Sequence, residues 1–223
     1  MNKLSLLMPT IVLLAVSCSK NGEQPDHPYK KNYISGAING NKSPERKSPF
    51  IVVFKDAVNA SFVQTTKDFP ATYAIVDDTL IVKTDDREKI IKFLVKNQTI
   101  TFASYVALAN EAKPNADFTV HAYLGKVPGK NVFAGKSFQG DLYKFGSKAV
   151  FRPGCQVAFN TAGNSFGESG AENTPDENQY NATLYNNVAF RYQKGSVRIM
   201  GAMVKDSLVY FRESGLYYWG TFR

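Results

Sequence analysis

Few side chains in this 223-residue sequence have the types and spacing that catalysis requires. Ser165 lies in GNSFG, residues 163–167, which fits the G-x-S-x-G pattern of a serine nucleophile held between a strand and a helix. Such a serine needs a downstream histidine, but the only histidines, His27 and His121, precede it. A dyad of Cys155 and His121 lacks a third group to orient it. We predict a non-enzymatic protein with a glycine-rich turn at GNSFG, and a serine hydrolase that uses Ser165 is the alternative.

Metal-ligating side chains are similarly sparse. One thiol and one histidine beyond the N-terminal region do not make a zinc site. A polar loop offers hard oxygen ligands that leave a weak calcium site as an alternative, although their spacing does not match an EF-hand. We predict that this loop is solvated and that the protein uses no cofactor. Its acidic residues are Glu168, Glu172, Asp176 and Glu177.

Aromatic residues are concentrated in the C-terminal half of the chain. Eight of the twelve tyrosines and the single tryptophan follow residue 118. Tyr217, Tyr218 and Trp219 are consecutive, and such side chains stack on sugar rings or anchor protein interfaces. If the segment is a strand, alternate members point into the core instead. The sequence predicts a ligand-binding site for a glycan or a protein at these three residues.

The N-terminal stretch indicates where the protein resides. Residues 1–17 contain one cation, Lys3, an apolar run and small residues at the end. Residues 15–18, AVSC, resemble the lipobox of bacterial lipoproteins. The resemblance implies that residues 1–17 are a signal peptide and that Cys18 is acylated, for example with palmitate. It also implies a protein anchored in the cell envelope, at the outer membrane or cell surface. An ordinary secretion signal with an incidental cysteine is the alternative.

The next segment, residues 18–49, is rich in Pro, Gly, Asn, Ser and charged residues, which predicts a flexible lipidated tether. The formal net charge is +8 and is spread along the chain. It lacks the clustered basic stripe of a nucleic-acid binder, so we expect the membrane and a glycan or protein as partners, and no nucleic acid. If Cys18 carries lipid, Cys155 has no disulfide partner, and we predict a buried, inert thiol there.

Residues 50–112 contain short apolar runs that predict an α+β domain. Phe50–Lys55 indicates a strand, and a hairpin is predicted around Asp77 and Asp78. NASFVQTTKDF, residues 59–69, predicts a short helix that is capped by Asn59 and has Phe62 and Val63 inward, and residues 85–97 predict a second helix. The resulting order of strand, helix, strand, strand, helix, strand is the ferredoxin-like βαββαβ plait. The apolar stripe of the second helix would comprise Ile90, Ile91, Leu94 and Val95.

Residues 50–106, with this order of elements, resemble the inhibitor or propeptide domains that chaperone subtilisin-type proteases. The resemblance implies that residues 107–112 would enter a protease cleft, which makes protease inhibition an alternative function. The chain continues into a further domain, however, and a structural scaffold is the interpretation that we favour.

Residues 118–223 contain glycine-rich turns at spacings typical of an all-β domain. Phe133, Phe138 and Gly140 resemble the Greek-key signature of βγ-crystallins, although the sequence contains no clear second copy of it. The predicted fold class is therefore α+β, with the ferredoxin-like plait followed by an all-β sandwich. The predicted strands are residues 118–124, 141–145, 157–160, 182–192, 197–204, 208–212 and 216–222.

Overall fold

The structure, a computed structural model, describes residues 28–40, 43–86, 89–107, 118–147 and 149–223. The predicted signal peptide and Cys18 lie outside these residues. The described part of the chain contains seventeen strands and no helix, so the protein is all-β. In that part of the chain there is consequently no helix with the length and apolarity needed to cross a membrane.

Eight strands form the first antiparallel sheet, in the order β7-β6-β5-β4-β3-β2-β1-β8. The sheet is barrel-like, because its two edge strands, β7 and β8, lie against each other. Its strands are β1 (Asn32–Gly40), β2 (Ser43–Phe54), β3 (Asn59–Gln64), β4 (Asp68–Val76), β5 (Thr79–Thr84), β6 (Lys89–Lys96), β7 (Thr99–Ala107) and β8 (Phe118–Lys126).

Nine strands form the second sheet, in the order β12-β11-β10-β9-β17-β16-β15-β14-β13. Its edge strands β12 and β13 are separated only by Ala182, so the sheet curves round until its two ends meet. Its strands are β9 (Ser137–Lys144), β10 (Val150–Phe159), β11 (Ser165–Ser169), β12 (Tyr180–Asn181), β13 (Thr183–Tyr185), β14 (Ala189–Lys194), β15 (Val197–Val204), β16 (Ser207–Glu213) and β17 (Tyr217–Phe222).

Each sheet encloses its own apolar core, and a third core joins the two sheets. Phe50, Phe62 and Phe93 are fully buried inside the first sheet. Phe159 and Phe190 pack inside the second sheet with their ring centroids 5.0 Å apart. The core between the sheets consists of Tyr33, Ile51, Val63, Val188, Ala189, Met200 and Ala202.

The predicted α+β plait is wrong, and β6 shows why. Residues 89–96 form a strand with alternating burial: Ile91 and Phe93 point inward, whereas half of Leu94 is exposed. The β-branched residues favour a strand, and Asn97 and Gln98 adopt positive φ angles of 50° and 59° in the tight turn to β7. Asn97 therefore turns a hairpin rather than ending a helix.

The first predicted helix, residues 59–69, is also wrong, because residues 59–64 form β3 and β4 begins at Asp68. Phe62 and Val63, which were predicted to face inward on that helix, are both completely buried in the strand. Phe62 points into the first sheet, and Val63 points into the core between the sheets. A strand covered on both faces loses its alternation of polar and apolar residues, so periodicity does not distinguish it from a helix.

The predicted tether and domain boundaries also need correction. Residues 32–40 and 43–54 form β1 and β2, so regular structure begins well before residue 50. Strand β8, predicted as part of the second domain, pairs with β1 in the first sheet from Asn32↔Lys126 to Gly40↔Phe118. Small residues such as Gly36 gave β1 a tether-like composition, but they allow close packing between two partner strands.

The observed strand order differs from the folds implied by the resemblances to protease propeptides and to βγ-crystallins. The described residues of the first sheet form neither a helix nor a plait, so protease inhibition through that domain loses its structural basis; residues 108–112 of the segment predicted to enter a protease cleft lie outside the described residues. In the second sheet consecutive strands pair from β9 to β12 and from β13 to β17, and β17 pairs back with β9, which is not a Greek key. Gly140 is required there because a Cβ atom would lie 2.5 Å from the Thr221 carbonyl oxygen.

Several predictions are confirmed. The hairpin at Asp77 and Asp78 joins β4 to β5, and both residues have the positive φ angles that a two-residue hairpin turn needs. The region from residue 118 onward is rich in strands, which agrees with the predicted β character.

Replacing Gly36 with alanine is expected to lower the free energy of unfolding by about 1–3 kcal/mol. A Cβ atom there would lie 2.2 Å from the His121 carbonyl oxygen, and a backbone atom of a paired strand cannot move away easily. Gly129→Ala is the control, because no atom lies within 4 Å of a Cβ built at Gly129. Urea unfolding measures both variants, and equal midpoints would contradict the close packing of β1 on β8.

Candidate functional site

Tyr217, Tyr218 and Trp219 lie on β17 but do not form one surface. Tyr217 and Trp219 project from the outer face of the second sheet, whereas Tyr218 packs against its interior core. Their exposure also differs: 36% for Tyr217, and only 7% for Trp219. The three residues of the predicted ligand-binding site therefore lie in three different environments and do not form one binding surface.

Tyr217 packs in an aromatic cluster around an arginine from the first sheet. The Arg46 Cζ atom lies 4.6 Å from the ring centroid of Tyr217, 4.9 Å from that of Phe211 and 5.3 Å from that of Phe145. Burial lowers the pKa of the Arg46 guanidinium, although an arginine stays protonated. This cation–π cluster holds the first half of β2 against β16 and β17.

Trp219 is covered by its neighbours. Its ring stacks on Tyr143 with centroids 4.6 Å apart and an interplanar angle of 15°. The Lys47 ammonium lies 5.9 Å from the Trp219 ring centroid and donates a hydrogen bond to the Thr221 hydroxyl at 3.3 Å. Trp219 consequently contributes to packing between β2 and β17, and one face of its ring is covered by Tyr143.

Tyr218 lines the open end, or mouth, of the second sheet. Its ring packs against Phe151, with centroids 4.8 Å apart. Behind these rings, the Glu168 side chain is 3% exposed, forms an ion pair with Arg212 and accepts a hydrogen bond from the Tyr210 hydroxyl. Burial raises the pKa of Tyr210 well above its ordinary value, so this hydroxyl remains a hydrogen-bond donor.

An exposed apolar surface surrounds this mouth. Five of the nine large apolar side chains that are exposed in the described residues lie at the β9–β10 connection and the β16–β17 turn. Phe145 and Tyr217 pack edge to face, with centroids 6.0 Å apart. We call this surface the aromatic rim; it consists of Phe145, Val150, Phe151, Leu216 and Tyr217.

A groove of about 260 Å³ between the two sheets runs beside Tyr217. Arg191 fixes one wall by donating hydrogen bonds to the backbone carbonyls of Thr65 and Thr66, at 3.1 and 3.0 Å. Arg198 pairs with Glu213 at 3.2 Å on the other wall. These contacts hold the two sheets in a fixed relation next to the rim.

Ser165 lies in a setting unlike that of a catalytic serine. It is 3% exposed, its hydroxyl donates a hydrogen bond to the Asn178 side-chain oxygen at 3.2 Å, and it is the first residue of β11 rather than the start of a helix. His121 lies on β8 of the other sheet. The glycines of GNSFG have structural reasons: Gly163 has a φ of +70°, and a Cβ at Gly167 would lie 1.9 Å from the Asp176 carbonyl oxygen.

The acidic loop does not act as one ligand set. Glu168 turns into the second sheet to meet Arg212, and the Asp176 carboxylate accepts a hydrogen bond from the backbone of Asn178. Across the described residues, no three His, Cys, Asp or Glu side chains lie close enough together to hold a metal ion.

Cys155 is a buried, unpaired thiol, as predicted. Burial raises the pKa of its thiol, while the nearby Arg152 partly lowers it. In the Cys18→Ser chain, where Cys155 is the only thiol, we expect labelling by a thiol reagent at pH 8 only after unfolding. Comparison of the labelling rates with and without urea tests this, and rapid labelling of the folded chain would contradict the burial.

The residues that the sequence analysis missed are mainly charged. Arg46 was assigned to a tether, and Arg152 and Arg212 carried no motif. Phe145 and Phe151 were not singled out, because exposure of an aromatic side chain is not visible in a single sequence. The turn residues around Phe145 and Leu216 were the available clue, since exposed aromatics in turns are unusual.

Comparisons with known proteins add no relative: no family model, no curated protein and no solved structure matches this chain.

Proposed function

We propose that this protein is a lipid-anchored, non-enzymatic binding module of the bacterial cell envelope whose ligand is another protein. The observation that carries the proposal is the aromatic rim, in which exposed apolar side chains gather on two adjoining turns. Contiguous apolar patches on a soluble surface are typical of interaction sites. Aromatic and arginine side chains together are the composition of the energetically dominant residues of protein interfaces.

The packing of the rings favours a protein over a glycan. Sugar recognition by stacking needs an open ring face, but Tyr143 lies over Trp219 and Arg46 lies over Tyr217. Tyr218 is tilted against Phe151. The rim therefore offers ring edges and aliphatic groups, which suit the interdigitating side chains of a protein partner.

The charges around the rim favour an acidic partner. Arg46 and Arg152 have no carboxylate within ion-pair distance among the described residues. The nearby acids Glu168 and Glu213 are each paired with an arginine. The surface around the rim thus carries surplus positive charge, in keeping with the chain's net charge of +8. Complementary charge steers association and selects partners.

The proposed anchor leaves the rim accessible. The stretch from Cys18 to Pro28 spans at most about 36 Å when fully extended. The chain enters β1 at Asn32, whereas Arg46 lies near the Gly40 end of that strand, about 25 Å away along it. Anchor and rim are therefore at opposite ends of β1, so membrane attachment and partner binding are compatible.

We expect the double variant Phe151→Ser, Leu216→Ser to weaken partner binding at least tenfold, because each truncation removes about 1 kcal/mol or more of interface energy. Envelope proteins recovered with the anchored chain are purified, and each is titrated against the wild type and the variant. Binding should also weaken as NaCl rises from about 50 to 500 mM, since charge contributes.

The matched control is Val76→Ser, Leu94→Ser, which removes two apolar side chains of similar exposure from the first sheet. Its affinity should stay within about twofold of the wild type. If both double variants lose affinity equally, or if an acidic glycan binds more tightly than any purified protein, the proposed function is wrong.

A further inference from the structure

The mouth of the second sheet contains a small cavity that the proposed protein interface does not itself require. Its volume is about 120 Å³, well below the roughly 300–1,000 Å³ of pockets that enclose whole small molecules. Arg152, Glu168, Arg212 and Tyr218 line it. A cavity of this size admits one functional group that enters from outside.

The charges of the cavity do not balance. Arg212 pairs with Glu168, and its Nε–H donates to the Ser214 hydroxyl at 3.3 Å. Arg152 lies over the Phe151 ring, with its Cζ atom 5.9 Å from the ring centroid, and no described carboxylate pairs with it. Two guanidinium groups facing one carboxylate leave one uncompensated positive charge.

The two guanidinium groups are close enough to affect each other. Burial lowers the pKa of Arg212, and the charge of Arg152 lowers it further. An anion between them would relieve this repulsion. A carboxylate suits the site, because it is planar, carries a single negative charge and accepts paired hydrogen bonds from a guanidinium.

We propose that this mouth is a carboxylate-binding subsite, in which Arg152 supplies a guanidinium that has no carboxylate partner among the described residues and Arg212, held by Glu168, supplies the second. Phe151 and Tyr218 form the apolar walls, so a carboxylate on a short aliphatic stem fits better than an isolated inorganic ion. The carboxylate belongs either to a partner's acidic side chain or to a chain's C-terminus. Carboxylate binding at the subsite does not depend on a particular partner protein. The experiments below can therefore disprove the subsite without disproving the proposed function, and the reverse also holds.

Thermal unfolding of the full-length protein in detergent, with sodium propionate as the probe, tests the subsite. At about 100 mM propionate we expect the melting temperature to rise by about 2–4 °C relative to NaCl of equal ionic strength. Propionamide, the neutral analogue, should give no rise. A rise with propionamide, or an equal or larger rise with inorganic phosphate, would overturn the assignment to a carboxylate.

Arg152→Met should weaken the apparent propionate affinity about tenfold, because it removes a charged hydrogen-bonding partner. Arg152→Lys should retain part of the effect, because it keeps the charge but loses the paired geometry. Lys55→Met is the control: it changes the net charge equally on an exposed residue of the β2–β3 connection and should keep the full response. Full retention by Arg152→Met overturns the proposal.

Two peptide probes distinguish the source of the carboxylate. Gly-Gly-Asp with an amidated C-terminus presents a side-chain carboxylate, and Gly-Gly-Gly presents only a terminal one. The peptide that gives the larger rise in melting temperature identifies the source, provided that Arg152→Met removes that rise. If neither peptide stabilises the protein, the subsite does not serve a polypeptide and the proposal fails.

Discussion

The Cys18→Ala variant is expected to move from the detergent phase to the aqueous phase almost completely and to incorporate no labelled fatty acid. Each buried methylene of an acyl chain adds about 0.8 kcal/mol of membrane affinity, so loss of the acylation site removes nearly all of the attachment. The melting temperature should not change, because Cys18 precedes every described strand. Phase partition, fatty-acid labelling and thermal unfolding measure these three outcomes.

Cys155→Ala is the control for this variant. Cys155 is buried in the second sheet and should have no influence on lipid incorporation. The lipid-anchor proposal fails if the wild-type protein is recovered from the aqueous phase, cleaved after Ser17, with no lipid mass on Cys18. That result would also remove the envelope location from the proposed function.

Glu168→Gln is expected to lower the free energy of unfolding by about 3 kcal/mol. Removal of one partner from a buried ion pair costs about 3–5 kcal/mol, and the 23% exposure of the Arg212 side chain places the value at the lower end. The variant leaves the Arg212 charge without its counter-ion inside the mouth. Urea unfolding should show a lower midpoint with an unchanged slope.

Two further variants make this result specific. Glu213→Gln breaks the more exposed pair with Arg198, whose side chains are 20% and 33% exposed, and should cost no more than about 1 kcal/mol. Glu168→Gln combined with Arg212→Met should recover most of the lost stability, because the second change removes the unpaired charge and the amide oxygen at position 168 still accepts the Tyr210 hydrogen bond. Equal losses for Glu168→Gln and Glu213→Gln would contradict the buried ion pair.

The local features of the fold were predictable where the backbone requires particular residues. The turn at Asp77 and Asp78 was recognisable because these residues adopt positive φ angles more readily than most. Most strands after residue 118 were predictable from their spacing and turns. The first helix was predicted wrongly because β3 is buried on both faces, and its apolar residues therefore do not alternate.

The larger-scale arrangement depends on contacts that a single sequence does not display. Gly36 looks like a linker residue until β1 pairs with both β2 and β8. Arg46 looks like a solvated tether residue until the rings of Phe211 and Tyr217 surround it. Tyr217 was predictable as a surface aromatic residue. The burial of Trp219 was not predictable, because the ring that packs over it belongs to Tyr143 on another strand.

Site-specific photocrosslinking in cells that make the full acylated chain tests the central proposal most directly. A photoreactive phenylalanine analogue replaces Leu216 in the aromatic rim, or Leu94 on the first sheet as the control; these side chains are 47% and 50% exposed. We predict that position 216 gives an adduct with one acidic envelope protein and that position 94 does not. Adducts of equal yield at both positions, or no protein adduct at position 216, would contradict a protein-binding rim.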